Sequence, residues 1–205
     1  MDDLEKMIAQ LKDRSSAKRR SAARHLRKMG DPTAGPALLE ALKHELRDER
    51  TWETQYQMIM ALGACCVRDA VPYLEELATR PFEATMVYTS IGDALVRLTR
   101  AHEHDASKAV VLLRSGNERL IDGALRAVAI LRMKPSAAEV DAILRFVQSL
   151  KLEDGLRFWP AVAAAGWTGK LRDAFLADCS RSPRQDLRDA VARSSQGQYK
   201  TWDLV

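Results

Sequence analysis

The sequence is poor in the residues that stabilise small secreted proteins and β-sheets. Its three cysteines, Cys65, Cys66 and Cys179, form an odd set without a Cys-x-x-Cys pair, which argues against a disulfide framework and against a zinc site. Aromatic residues make up only 6% of the chain, and long alternating runs of Val, Ile and Thr are missing. Because Ala and Leu are the commonest apolar residues, the composition favours helices over strands.

Long apolar runs are also absent. No segment approaches the ~20 apolar residues of a membrane span, and the acidic start "MDDLEKMIAQ" lacks the apolar run of a signal peptide. We therefore expect a cytoplasmic protein without membrane contact. The formal net charge of +4 and the pI near 9.0 permit an acidic partner without requiring one.

Assembled catalytic motifs are missing as well. There is no G-x-S-x-G nucleophile elbow and no glycine-rich phosphate loop. The segment "GWTGK", Gly166 to Lys170, lacks the length and the terminal Ser or Thr of a P-loop, and we interpret it as a turn. The sequence thus predicts a protein that is not an enzyme and needs no cofactor.

The chain does contain an internal repeat. The segments "MGDPTAGPALLEAL" and "CCVRDAVPYLEEL" align so that Pro36 falls on Pro72, 36 residues later. Each segment reads as the end of one helix, a tight turn and a second helix that begins near its proline. A period of this length, built from paired helices, is typical of a solenoid, in which each pair buries its apolar face by stacking on its neighbours.

Apolar residues at helical spacing extend this pattern along the chain. They predict five helix pairs and a last helix that begins near Pro183. The pairs fall near residues 17–46, 51–77, 86–113, 120–150 and 154–176. We expect one domain over residues 1–195, followed by a tail over residues 196–205 that frays and exposes Trp202.

The first two pairs resemble a known family. Residues 15–80 resemble HEAT repeats, most closely the short bacterial HEAT-like repeats of phycobilisome lyases. In that branch an Ala-Leu-Gly-like step ends the first helix, an Asp-Pro or Asp-Ala turn follows, and a proline opens the second helix. The matching positions here are Ala61–Gly63, Asp31–Pro32, Asp69–Ala70, Pro36 and Pro72. A tetratricopeptide array has a similar period, but its aromatic pattern does not recur here.

The HEAT resemblance implies an all-α, right-handed superhelix of about five to six helix pairs, whose second helices line a concave surface. From such a surface we expect a scaffold that binds a protein or peptide, and we expect it to be a monomer. The expected binding residues point away from the apolar stripes of the second helices: Glu40, Lys43, Arg47, Tyr73, Glu76, Lys108, Arg145 and Arg172.

A basic flank on the first helix of the first pair gives an alternative. Arg20, Arg24, Arg27 and Lys28 share one exposed side of the predicted helix. HEAT-like alkylpurine DNA glycosylases imply that such a flank binds nucleic acid, with base-excision chemistry as an added function. No aromatic residue interleaves the cluster, however, and a terminal repeat also needs a polar outer surface for solubility.

Two histidine features of the sequence are candidate metal sites. His102, His104 and Asp105 lie close in sequence, but donors at i and i+2 diverge on a helix and further donors are lacking. The dyads His44-Glu45 and His102-Glu103 resemble those of HEAT-like deoxyhypusine hydroxylases, which implies four dyads where this sequence has two. We therefore expect no bound metal.

Overall fold

The computed structural model describes residues 2–200, and within that range every regular element is helical. This confirms the all-α fold. The α-helices are α1 (Asp3–Gln10), α2 (Ser16–Met29), α3 (Gly35–Glu45), α4 (Trp52–Ala64), α5 (Val71–Ala78), α6 (Met86–Thr99), α7 (Ser107–Leu112), α8 (Glu118–Ile130), α9 (Ala137–Gln148), α10 (Phe158–Ala163), α11 (Lys170–Cys179) and α12 (Gln185–Ser195). Short 3-10 helices cover Pro32–Ala34, Glu49–Thr51, Arg68–Ala70, Gly155–Arg157 and Ala164–Gly166. Trp202 lies outside the described residues.

The repeated turn has the same construction in its two copies. Helix α2 ends at Gly30, whose φ of 66° is left-handed, and α4 ends beside Cys66, whose φ of 56° is left-handed too. A 3-10 turn follows in each copy, and Pro36 or Pro72 then occupies the first turn of the second helix. Because proline fixes φ near the helical value and gives up no needed N–H there, it starts that helix at a defined point.

The described chain forms two compact units, of which the first comprises residues up to Thr99. In this unit α2, α4 and α6 pack on one another in chain order. Helices α3 and α5 form the second layer, with α3 against α4 and α5 against α6. The interface between the layers is apolar, and Leu38 and Leu74 are fully buried in it. Helix α1, which the periodicity did not predict, packs on α2.

The second unit begins at Arg100 and repeats this plan. Helices α8, α10 and α12 pack in chain order, while α7, α9 and α11 form the other layer. Trp167 is buried, and its indole Nε1 donates a hydrogen bond to the carbonyl of Met133 at 3.0 Å. The third predicted pair is divided, since α6 belongs to the first unit and α7 to the second. A single domain over residues 1–195 with a tail over 196–205 stays a prediction.

Candidate partner-binding surface

The second helices of the first unit present an aromatic side chain close to two cations. Tyr73 on α5 is half-buried, and Nζ of Lys43 on α3 lies 5.3 Å from the centre of its ring. Cζ of Arg80 lies 6.0 Å from the same centre, and the Arg80 guanidinium also pairs with Glu76. Burial raises the pKa of Tyr73 above its ordinary value, so the phenol stays neutral and can donate a hydrogen bond.

The sequence of α3 explains why its predicted residues face outward. Leu38, Leu42 and Glu45 are buried against the neighbouring helices. Glu40 and Lys43 occupy the opposite arc, and both are exposed, as is Arg47 just beyond the helix. The structure therefore brings together five of the eight predicted binding residues on α3, α5 and the residues beside them.

The other three predicted residues lie in the second unit. Arg145 on α9 is exposed and Lys108 on α7 is half-buried. Arg172 is engaged within the fold, because its guanidinium donates to the carbonyl of Ala164 at 3.2 Å and to that of Ser194 at 2.6 Å. Arg172 thus ties α11 to the ends of two other elements, and this contact could not be read from the pattern of α11 alone.

Two residues of the basic flank already contact neighbouring side chains. Arg20 forms an ion pair with Glu53 on α4, and Arg27 donates a hydrogen bond to Gln57 at 3.4 Å. Arg24 and Lys28 are exposed. With Arg20 and His25 they line an open groove of about 350 Å³ along α2.

The loop that contains His102 and His104, residues 101–107, is held by hydrogen bonds to its own backbone. Asp105 accepts from the N–H groups of Ala101 at 2.7 Å and Ser107 at 2.9 Å, and these bonds lower its pKa. Nδ1 of His102 accepts from the N–H of His104 at 3.3 Å. Between residues 2 and 200, no three His, Cys, Asp or Glu side chains are grouped so as to hold a metal ion.

The carboxylate of the His44-Glu45 dyad is likewise engaged. Glu45 is buried and accepts from Nε of Arg19 at 2.6 Å and from the hydroxyl of Ser16 at 2.9 Å. Burial alone would raise the pKa of Glu45, but the hydrogen bonds from Arg19, Thr51 and Ser16 together lower it. Its role is to join α2 to the end of α3.

A groove that the sequence did not predict lies in the second unit. It measures about 370 Å³ and lies at the starts of α8, α10 and α12. Its lining includes Asp122, whose pKa is raised by burial and which accepts a hydrogen bond from Trp159. Cζ of Arg126 lies 5.8 Å from the centre of the Trp159 ring. Asp122 occupies an ordinary polar position in the periodicity of α8. Only its contact with Trp159 on α10 distinguishes it from the other polar residues of the helix.

Comparison with known proteins identifies a family over the first part of the chain. Residues 4–82 match the model of a family described as HEAT repeats, and that range contains α1 to α5. Over these residues the chain is similar to HEAT repeats, and the resemblance predicted from residues 15–80 is confirmed. A solved structure described as an engineered protein from the Northeast Structural Genomics Consortium is 19% identical to the chain, with a TM-score of 0.49. The alignment covers 97% of this chain and 99% of that one.

Two further findings complete the comparison. Among curated proteins, none matches the chain. Across residues 2–200, no helix combines the length and the apolar character needed to cross a membrane.

Proposed function

We propose that the protein is a non-catalytic scaffold that binds a protein or peptide through the exposed side of α3 and α5. The observation that carries this proposal is the proximity of Lys43 and Arg80 to the ring of Tyr73. Tyr and Arg are enriched among the residues that dominate binding energies, and a tyrosine fixed by flanking side chains loses little rotamer freedom on binding. HEAT repeats supply extended surfaces for such contacts.

The same proposal includes the setting in which the protein works. We expect a cytoplasmic monomer that needs no cofactor or metal, with the α3 and α5 surface on the concave side of a right-handed superhelix. We expect Lys108, Arg145 and Arg172 of the second unit to contact a partner as well. Because Arg172 donates to two backbone carbonyls, we expect its substitution to reduce stability more than binding.

The test begins with capture of the natural partner on immobilised protein from the native cell, followed by mass spectrometry and a binding assay with the purified partner. The triple variant Lys43→Glu, Arg47→Glu, Tyr73→Ala should weaken binding by about 2 kcal/mol or more. The matched control Arg24→Glu with Lys28→Glu changes two exposed cations on α2 and should leave binding intact. Both variants must first melt like the parent in circular dichroism.

The opposite pattern would refute the proposal. If the α2 variant loses the partner while the triple variant keeps it, the basic flank is the binding surface. Equal loss in both variants at unchanged melting temperature would mean that the attraction follows net charge and not the α3 and α5 surface.

Nucleic-acid binding is the second candidate, favoured by the groove that Arg20, Arg24, His25 and Lys28 line on α2. Binding of this kind depends on released counterions, so the affinity for a generic DNA duplex should fall steeply with salt. The Arg24→Glu, Lys28→Glu variant should abolish that affinity. A protein that shows no duplex binding even at low salt eliminates this candidate.

A further inference from the structure

A groove lies beside the proposed binding surface, between the α1–α2 turn and α3. It measures about 230 Å³, and its floor is formed by Leu11, Ala37 and Ala41. Leu11 is buried, and the two alanines lie one helical turn apart on α3. Because their side chains are small, α3 leaves a depression at this point that a larger residue would fill.

The walls of this groove are fixed by polar contacts. The Arg19 guanidinium donates to the carbonyls of Asp13 at 2.8 Å and Arg14 at 3.0 Å, as well as to Glu45. Asp13 accepts from the N–H of Ser15 at 2.8 Å. The α1–α2 turn is therefore held in place before any partner arrives, which lowers the entropic cost of binding.

The size and rim of the groove indicate what it can accept. Its volume lies below the ~300–1,000 Å³ of pockets for drug-sized ligands, so it suits a single side chain. The floor is apolar, while Lys12, Glu40 and His44 line the rim. An apolar side chain would be buried on the alanines, with its backbone kept at the polar rim.

Charge identifies the rest of the partner. Around the exposed arc of α3, Lys43 and Arg47 lie on the side away from the alanines, with Glu40 between. Lys12 on the rim is exposed as well. Asp13, the second carboxylate of the lining, is paired with Lys18, so the three exposed cations outnumber Glu40. Glu76 on α5 pairs with Arg80, just beyond the end of that helix, and the two charges offset each other. This surface is complementary to an anionic segment.

The distance across α3 sets the spacing in that segment. A helix with its side chains is about 10–12 Å wide, and an extended chain advances about 3.3 Å per residue. The groove and the Lys43–Arg47 side of α3 are thus separated by about three to four residues of an extended peptide.

We propose that the groove receives an apolar side chain of an acidic peptide segment, and that a carboxylate about three to four residues away in that segment pairs with Lys43 and Arg47. This inference rests on the proposed function and specifies its partner. The apolar side chain supplies a buried anchor, and the cations supply orientation and speed of association.

The experiment uses the full chain and a randomised library of short linear peptides displayed on phage. Enriched peptides should carry an apolar residue and an acidic residue at the stated spacing. In fluorescence anisotropy with a labelled copy of one such peptide, Ala41→Leu should weaken binding roughly tenfold or more because it fills the groove. Ala174→Leu, the same change at an exposed position of α11, should have no effect.

A double-mutant cycle ties the anchor to the groove. Replacing the apolar residue of the peptide by Ala should cost as much affinity as Ala41→Leu, and the two changes together should cost little more than either alone. If Ala41→Leu melts below the parent, Ala37→Leu replaces it. In the unmodified protein, the methyl NMR signals of Ala37 and Ala41 must also shift when the peptide is added.

Failure of this inference and failure of the proposed function give different results. Peptides weakened by the Lys43, Arg47 and Tyr73 changes but indifferent to Ala41→Leu would overturn the groove and keep the scaffold. Peptides indifferent to all of these changes would overturn both. The inference would be overturned if the alanine methyl signals did not shift or if the library gave no enriched peptides. Self-association of the protein that Ala41→Leu abolishes would also overturn it, because a second copy of the chain would then occupy the groove.

Discussion

Arg19 on α2 forms an ion pair with the buried carboxylate of Glu45 at the end of α3, with Nε of Arg19 2.6 Å from Oε2 of Glu45. The pair joins the two helices of the first repeat. The hydroxyl of Ser16 lies 2.9 Å from the same carboxylate and 2.8 Å from the hydroxyl of Thr54. The network therefore extends to α4. It also holds the α1–α2 turn that forms one wall of the groove beside α3.

Loss of the Glu45 charge should destabilise the fold in a pH-dependent manner. Glu45→Gln should lower the free energy of unfolding by roughly 1–3 kcal/mol near neutral pH, because it weakens charge-assisted hydrogen bonds inside the protein. The folded-state pKa of Glu45 is depressed, so its contribution is complete above the unfolded pKa of about 4.3 and is lost as the pH falls through the folded value.

Urea unfolding of parent and variant from neutral pH to about pH 3 measures this difference. The two curves should converge in the acid range. Glu49→Gln, an exposed glutamate in the following turn, serves as the control and should stay within about 0.5 kcal/mol of the parent. A Glu45→Gln effect that grows as the pH falls would contradict the assignment.

The equivalent leucines of the two repeats should be equally important for stability. Leu38 and Leu74 are both fully buried, so replacing either by Ala leaves a cavity that should cost roughly 2–5 kcal/mol. Val111→Ala removes apolar atoms from a residue that is 61% exposed and should change stability by less than about 0.5 kcal/mol. If both leucine variants unfold at the urea concentration of the parent, the alignment of the second helices is wrong.

The three cysteines should differ in reactivity. Burial raises the pKa of Cys65 to about 11 and also raises that of Cys179, whereas Cys66 is exposed. Because the thiolate is the nucleophile, a disulfide reagent should label one thiol quickly in the folded protein and all three after unfolding. Cys66→Ser should remove the fast phase and Cys65→Ser should keep it. A fast phase that survives Cys66→Ser would mean that a buried cysteine is accessible.

Removal of metal should leave the protein unchanged. Asp105 is engaged by two backbone N–H groups, so we expect EDTA and the double change His102→Ala, His104→Ala to leave the melting temperature and binding as they were. A structural metal would add its binding free energy to folding. A melting temperature that falls with EDTA and recovers with zinc or iron would therefore contradict this prediction.

Local signals in the sequence were sufficient for most of the helices. The prolines at positions 36 and 72 and the spacing of the leucines are properties of the repeat itself, and both recur in the structure. Helix α1 was missed although its signal is present, since Asp2 and Glu5 form a reciprocal capping box. The eight residues of α1 make only about two turns, too few for apolar spacing alone to define a helix.

The contacts of the charged residues were harder to predict, because their partners lie in other helices. Arg20 and Arg24 look equivalent in the sequence, yet Arg20 meets Glu53 on α4 and Arg24 is exposed. Arg172 follows the surface pattern of α11 and nevertheless donates to carbonyls of other elements. Helical periodicity fixes the side of a helix on which a residue lies, but it contains no information about which long side chains meet across a layer.

The stacking of α2, α4 and α6 in chain order means that the main contacts of the first unit join segments close in sequence. Each helix closes only a short loop when it packs on the previous one. The loss of chain entropy on folding is therefore divided into small increments, one for each helix. The unit should therefore open from its edge instead of all at once. Amide protons of α1 should exchange with solvent first, and those at the centre of α4, with α2 on one side and α6 on the other, should exchange last.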